Sequence, residues 1–188
     1  MCVLLVKPAN TPVPAKDIIE ACCKANPDGF GFATPTRYFR TMDKDEFIKE
    51  CMSLAECEPA IIHMRWATHG SKRTDNCHPF FDEETGTYFA HNGILPFYPK
   101  GDITDSEFAF RTFIVPSVKA HGFDSRSVAY SCSRIIGTSK FALLNGSKVR
   151  MFGHFEKIEG VYFSNLRWAS MLKRPLWDLD DGRRWLSA

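Results

Sequence analysis

Three short apolar runs near the end of the chain, at 141–145, 149–152 and 161–164, are separated by Gly-containing turns, and they limit the fold most. Asn145-Gly146, with Ser147 following, is a strong two-residue hairpin signal, and hairpin-linked strands must pair antiparallel. Earlier segments repeat the theme. Residues 2–7 read as a buried strand, apolar and partly β-branched, stopped by Pro8 and the Pro12/Pro14 loop. Residues 60–66 and 87–91 read as two more strands. Residues 29–34 alternate Gly and Phe, the pattern of a strand whose backbone approaches something closely. Helical periodicity is confined to three places. Residues 15–26 put Ile18, Ile19, Cys22 and Cys23 on one face and end at Asn26-Pro27. Asp43 with Glu46 forms a capping-box pattern opening a helix to about residue 55, with Phe47, Ile48, Cys51 and Met52 buried. Thr104 with Glu107 is a weaker pair of the same kind, starting a helix to about residue 115. Many strands, two or three helices and hairpin connections give antiparallel sheets with helices stacked on them, an α+β fold.

A chain of 188 residues suits one domain with a short tail, and it buries enough surface to need no disulfide or metal staple. Its 24 basic and 22 acidic residues leave a net charge of +2, without the clustered excess of a nucleic-acid binder. The one basic cluster, Lys173-Arg174 with Arg183-Arg184, is offset by Asp178, Asp180 and Asp181 and reads as a solvated tail. Seven cysteines, none spaced as CxxC, and no apolar run long enough for a signal peptide or a membrane span point to a reduced, cytoplasmic chain. Cys77 and His78 are adjacent, but no paired ligands flank them, so no metal and no cofactor is expected.

Five segments carry chemistry, in this order: Met1-Cys2, the stretch HMRWATHG at 63–70, NCHP at 76–79, HNGI at 91–94, and TDSE at 104–107. Removal of Met1 leaves Cys2 with a thiol and a free α-amine. The amine titrates near ~7.7–8.0 and the thiol near ~8.5, so the amine can take the thiol proton itself or through one water. The alternative is that Cys2 is simply a small second residue. Arg65 ends an apolar strand, and its planar fork suits either a substrate α-carboxylate or a structural ion pair. Asp105 can accept from a substrate ammonium, or cap a helix, or both. Asn92-Gly93 offers a side-chain amide and a backbone N–H to one oxygen, or else is a plain hairpin turn. His63, His78 and His91 read as structural hydrogen-bonding residues.

Taken together, these motifs resemble the class II glutamine amidotransferases, and most closely the glutaminase domains of glucosamine-6-phosphate synthases. RWATHG with HNG is highly specific, and the resemblance covers most of the chain. It implies a four-layer αββα sandwich of two stacked antiparallel sheets, the N-terminal nucleophile hydrolase fold. Cys2 is similar in position to the nucleophile that forms a γ-glutamyl thioester and releases ammonia. Asn92 and Gly93 match the oxyanion hole and Arg65 the α-carboxylate clamp. Trp66, Thr68 and His69 match the loop that closes over glutamine, and Asp105 the acceptor of the substrate amine.

Three departures stand out. Residues 24–29 lack the arginine-glycine pair common in the family. The connection from Gly93 to Asp105 is short. The chain also ends where the synthases continue into an acceptor domain, like stand-alone members of bacteria and their viruses. Residues 1–170 are therefore expected to form the amidotransferase domain and 171–188 a tail. The expected activity is glutamine hydrolysis that supplies ammonia to a separately encoded acceptor protein, with neither nucleic acid nor membrane as partner. Hydrolysis of another γ-glutamyl amide, or glutamine sensing without catalysis, are the alternatives.

Overall fold

The computed structural model describes residues 2–68 and 70–179. β1 (Val3–Lys7), β2 (Phe30–Ala33), β3 (Tyr38–Thr41), β4 (Ala60–Met64), β9 (Glu156–Ile158) and β10 (Val161–Phe163) form a six-stranded sheet in the order β3-β2-β4-β1-β10-β9. β5 (Phe80–Asp82), β6 (Thr87–Asn92), β7 (Lys140–Asn145) and β8 (Lys148–Phe152) form a second sheet in sequence order. Every pairing is antiparallel. α1 (Lys16–Ala25) and α2 (Lys44–Met52) cover the outer face of the first sheet. α3 (Asp105–Ala109), a π turn (Phe110–Ile114), α4 (Val115–His121) and α5 (Arg126–Ile135) cover the outer face of the second. Pro116, with no N–H to give, sits where the π turn passes into α4.

The period of two in a strand separates the layers. Val3 and Leu5 of β1 point to the α1/α2 core, whereas Leu4 and Val6 meet Ala90, Ala142 and Leu144 between the sheets. In β6, Phe89 joins the core under α3–α5 while Ala90 faces the other sheet. Successive residues at the end of a strand therefore serve different layers, and this places the site residues.

Helix capping follows the sequence with one change. Asp43 accepts from the N–H groups of Asp45 and Glu46, but the reciprocal partner of Glu46 is the Thr41 hydroxyl at 2.7 Å. The helix stops at Met52, which is exposed rather than buried as expected. β3, β5, β9 and α5 are additional to the elements the sequence suggests. Residues 171–179 continue onto α1: Leu172 and Leu176 pack on its core, Leu179 is buried, and Arg174 pairs with Asp17 at 2.6 Å.

The Gly/Phe/Gly/Phe strand has a concrete cause. A Cβ on Gly31 would stand 2.3 Å from the His78 carbonyl oxygen, and one on Gly29 would stand 2.3 Å from the Cys77 sulfur. The bare backbone of β2 thus receives the NCHP segment. His78 in turn packs against His63, the rings tilted by 46° with centroids 4.3 Å apart. The three central imidazoles are buried: His63 Nε2 pairs with the His91 carbonyl at 2.9 Å, and His91 Nδ1 with Ser106 Oγ at 2.7 Å. Burial pushes His63 down to about 3 and His91 to about 4, the latter against the attraction of Asp105, and it pushes His78 well below the ordinary value.

Two outcomes follow from this packing. Gly31→Ala should destabilise the fold by about 1–3 kcal/mol in chemical denaturation, since neither backbone can yield freely. The histidines stay neutral in the folded chain, whereas in the unfolded chain they take up protons near 6.5. Their contribution to stability is therefore complete above that pH and declines as pH falls toward 4. Thermal denaturation from pH 7.5 to 4.5 should show a falling Tm, with a shallower slope in His91→Asn.

Candidate active site

One step beyond the Val3↔Met64 pairing, the register of β1 against β4 brings Cys2 opposite Arg65. Cys2 is half-buried. Its sulfur accepts from the Trp66 N–H at 3.3 Å, and its carbonyl accepts from Asn165 Nδ2 at 2.9 Å. Burial raises the thiol above its usual range, more than the Trp66 N–H and the nearby positive charges lower it. A neutral thiol at pH 7 requires a base beside it before it can attack a carbonyl.

Cys2, Arg65, Trp66, Thr68, Gly93 and Asp105 line one cavity, closed by His78, His91, Thr104 and Ser106. Five separate stretches of the chain contribute: the residue before β1, the loop after β4, the segment before β5, the end of β6, and the start of α3. His69 lies outside the described residues.

Gly93 ends β6 with φ of 145°, and a Cβ there would lie 2.1 Å from Ser139 Oγ. Only glycine fits. Asn92-Gly93 is therefore no hairpin turn, since the strand paired with β6 returns only at Lys140. Asn92 is buried, its amide nitrogen 2.8 Å from Ser164 Oγ and its Oδ1 without a donor.

At α3 the cap is Thr104, whose hydroxyl accepts from the Glu107 N–H at 3.1 Å. Asp105, next in line, is held by the Leu95 N–H on Oδ2 and the Ser106 N–H on Oδ1, both at 2.8 Å. A carboxylate gripped this way is a rigid anion at the cavity wall.

The Arg65 guanidinium is buried and donates to the Ser71 carbonyl at 2.9 Å, so the residue also holds the loop it precedes. Two acidic residues that no sequence signal marks complete that loop's anchorage. Asp28 accepts from the Ala67 N–H at 2.9 Å and pairs with Lys72 at 2.6 Å. Partial burial works against its charge, but Lys72 and the Ala67 N–H hold the carboxyl below its ordinary value. Asp102, in the short 93–104 connection, accepts from the Ser71 N–H at 2.7 Å and from its hydroxyl at 2.5 Å, and pairs with Arg73 at 3.0 Å. The shortened connection thus reaches the loop through one carboxylate.

All seven thiols are free, and among the described residues no cluster of His, Cys, Asp or Glu could hold a metal ion. No helix among them is long and apolar enough to cross a membrane.

Comparison with known proteins bears on this arrangement. The model of the class-II glutamine amidotransferases matches residues 43–136, half of the chain. A glutamine–fructose-6-phosphate aminotransferase of Helicobacter pylori is 28% identical over 107 residues, covering 56% of this chain and 18% of that protein. Its namesake in Aquifex aeolicus is 35% identical over 68 residues, 35% of this chain and 12% of that one. A probable aminotransferase of the same name in Acanthamoeba polyphaga mimivirus is 50% identical over 42 residues, 22% of this chain and 7% of that one. The chain spans less than a fifth of the length of these curated relatives. Among solved structures, the glutamine phosphoribosylpyrophosphate amidotransferase of B. subtilis superposes with a TM-score of 0.58 at 15% identity, over 87% of this chain and 41% of that one. The allosteric regulatory enzyme of purine biosynthesis gives 0.58 at 16% identity, over 91% and 43%. These two establish the shared fold, two stacked antiparallel sheets between layers of helices. On the match of half its length to the family model, the chain belongs to the class II glutamine amidotransferases.

Proposed function

We propose that the domain hydrolyses the side-chain amide of glutamine through a thioester on Cys2 and passes the ammonia to an acceptor enzyme outside residues 1–188. One observation carries the reading: a thiol, a buried guanidinium, a rigid carboxylate and a glycine N–H, from four distant stretches, line the same cavity.

In this mechanism, removal of what precedes Cys2 frees its α-amine, which takes the thiol proton. This offsets the rise that burial imposes on the thiol. The thiolate attacks the γ-carbonyl carbon. The resulting oxyanion is held by the Gly93 N–H and the Asn92 amide, and its collapse expels ammonia, which carries off the proton held by the amine. Water then attacks the thioester, again through an oxyanion, giving glutamate and restoring the thiol. Arg65 grips the substrate α-carboxylate and Asp105 its ammonium, so glutamine is held at its charged end while its amide meets Cys2. Trp66, Thr68 and His69 close over it, with Asp28 and Asp102 anchoring that loop. We assign residues 1–170 to the glutaminase unit and 171–188 to an appended segment whose residues 171–179 pack against α1, and the free thiols accord with a cytoplasmic site of action.

Cys2→Ala should lose ammonia release altogether while binding glutamine within a few-fold of the wild type, read by coupled glutamate assay and calorimetry. Wild-type binding without ammonia release would assign the domain to sensing instead. Asn92→Ala should lower kcat about 10²–10³-fold. Arg65→Lys should mainly raise KM for glutamine, because a point charge cannot replace the fork. A substrate panel should favour glutamine over larger γ-glutamyl amides.

A further inference from the structure

Ser164 directly follows β10, and nothing in the proposed mechanism uses it. Its hydroxyl stands at the junction of three elements. It accepts the Leu4 N–H at 2.9 Å, two residues from the nucleophile, and it lies 2.8 Å from the amide nitrogen of Asn92. Its own N–H donates to the Leu4 carbonyl at 2.9 Å, which fixes its backbone against β1. Ser164 and Asn92 are both buried, 4% and 2% exposed.

The hydrogen-bond inventory of this pair is mismatched. A hydroxyl has one proton to give and two lone pairs to receive. With both lone pairs taken by Leu4 and the Asn92 amide, the Ser164 proton is left over, while Asn92 Oδ1 is buried without a donor. A half-turn of the Asn92 side-chain amide corrects both faults. Oδ1 then accepts the Ser164 O–H, the Leu4 N–H keeps its acceptor, and the NH₂ group takes the position of the orphaned oxygen. An NH₂ group released from Ser164 in this way is the donor that an oxyanion formed on Cys2 requires. In the other orientation one of the two amide N–H bonds is spent on Ser164, and the side-chain oxygen occupies the position the donor should hold.

We propose that Ser164 is a positioning residue for amide cleavage: by donating to Asn92 Oδ1 it selects the orientation in which the amide nitrogen serves the oxyanion hole. The hydroxyl thereby links β1, β6 and β10, so the nucleophile's strand and the oxyanion donor share one reference point. The proposal rests on the glutaminase reading above.

The test is a double-mutant cycle with Ser164→Ala, Ser164→Thr and Asn92→Ala, measured as kcat and KM for glutamine. A second readout is Cys2 alkylation by iodoacetamide, a displacement at saturated carbon that creates no oxyanion. Ser164→Ala should lower kcat about 10- to 100-fold, within what one oxyanion donor is worth, while KM and the alkylation rate stay within a few-fold. Ser164→Thr, which keeps the hydroxyl, should restore most of the loss. In the Asn92→Ala background, Ser164→Ala should have little further effect, because the group it orients is gone. An equal loss in both backgrounds, or a parallel loss of alkylation, would overturn the proposal and make Ser164 a structural residue of β1. Inactive wild-type enzyme would instead sink the glutaminase reading. Independently of activity, NMR of the wild-type protein should show weak or no contact between the Asn92 side-chain amide protons and the Leu4 N–H. A strong contact would place the NH₂ group on Ser164 and contradict the proposal.

Discussion

The pairing of β1 on both edges is the constraint on which the rest of the molecule depends. Its five residues are buried throughout, with β4 on one side and β10 on the other. A strand held in the middle of a sheet cannot slip by one residue without moving Leu4 and Val6 out of the layer between the sheets and Val3 and Leu5 out of the helical core. Register is therefore fixed by burial. Because it is fixed, the residue just before β1 has a defined place at the sheet's end, with Arg65 across from it and Asn165 on its carbonyl. The residue before β1 is thus anchored by a strand buried along its whole length.

Alternation in β6 does the corresponding work on the second sheet. His91 turns toward Ser106 and the α3 layer, while Asn92 turns toward the first sheet and Ser164. Two adjacent residues thus tie the end of one strand to both neighbouring layers. Gly93 then leaves the strand in a conformation that no side chain would tolerate beside Ser139. The three neutral histidines fill the space between these ties. In the proposed mechanism their low proton affinity makes them poor bases for Cys2, and the free α-amine of the same residue takes that part.

Much of this was legible in the sequence, for identifiable reasons. Strands with strong burial on both faces, such as β1 and β4, announce themselves as apolar runs, and the Gly/Phe alternation of β2 pointed to a close approach that proved to be Cys77 and His78. β3, β5 and β9 escaped because each is short and broken by charge, at Arg40, Asp82, and Glu156 with Lys157, so none shows an apolar run or an alternation. α5 has a readable cap in Ser125 and buries Val128 and Cys132, but its exposed serines and Tyr130 blur the stripe. In the site, Cys2, Arg65, Trp66, Thr68, Gly93 and Asp105 came together in one cavity, whereas Asn92 lies buried against Ser164 and His69 falls outside the described residues. Asp28, Asp102 and Ser164 were invisible for a different reason. Each acts on partners 29 to 160 residues away, through loop or strand-end contacts that no local pattern encodes.

The most direct measurement of the central claim is the mass of the purified, active protein before and after treatment with a glutamine-analogue electrophile, followed by peptide mapping. The account requires that Cys2 be the mature N-terminal residue and that a single adduct form on it as ammonia release is lost. Active protein that retains residue 1, or inactivation by an adduct on any of the other six cysteines, would contradict it.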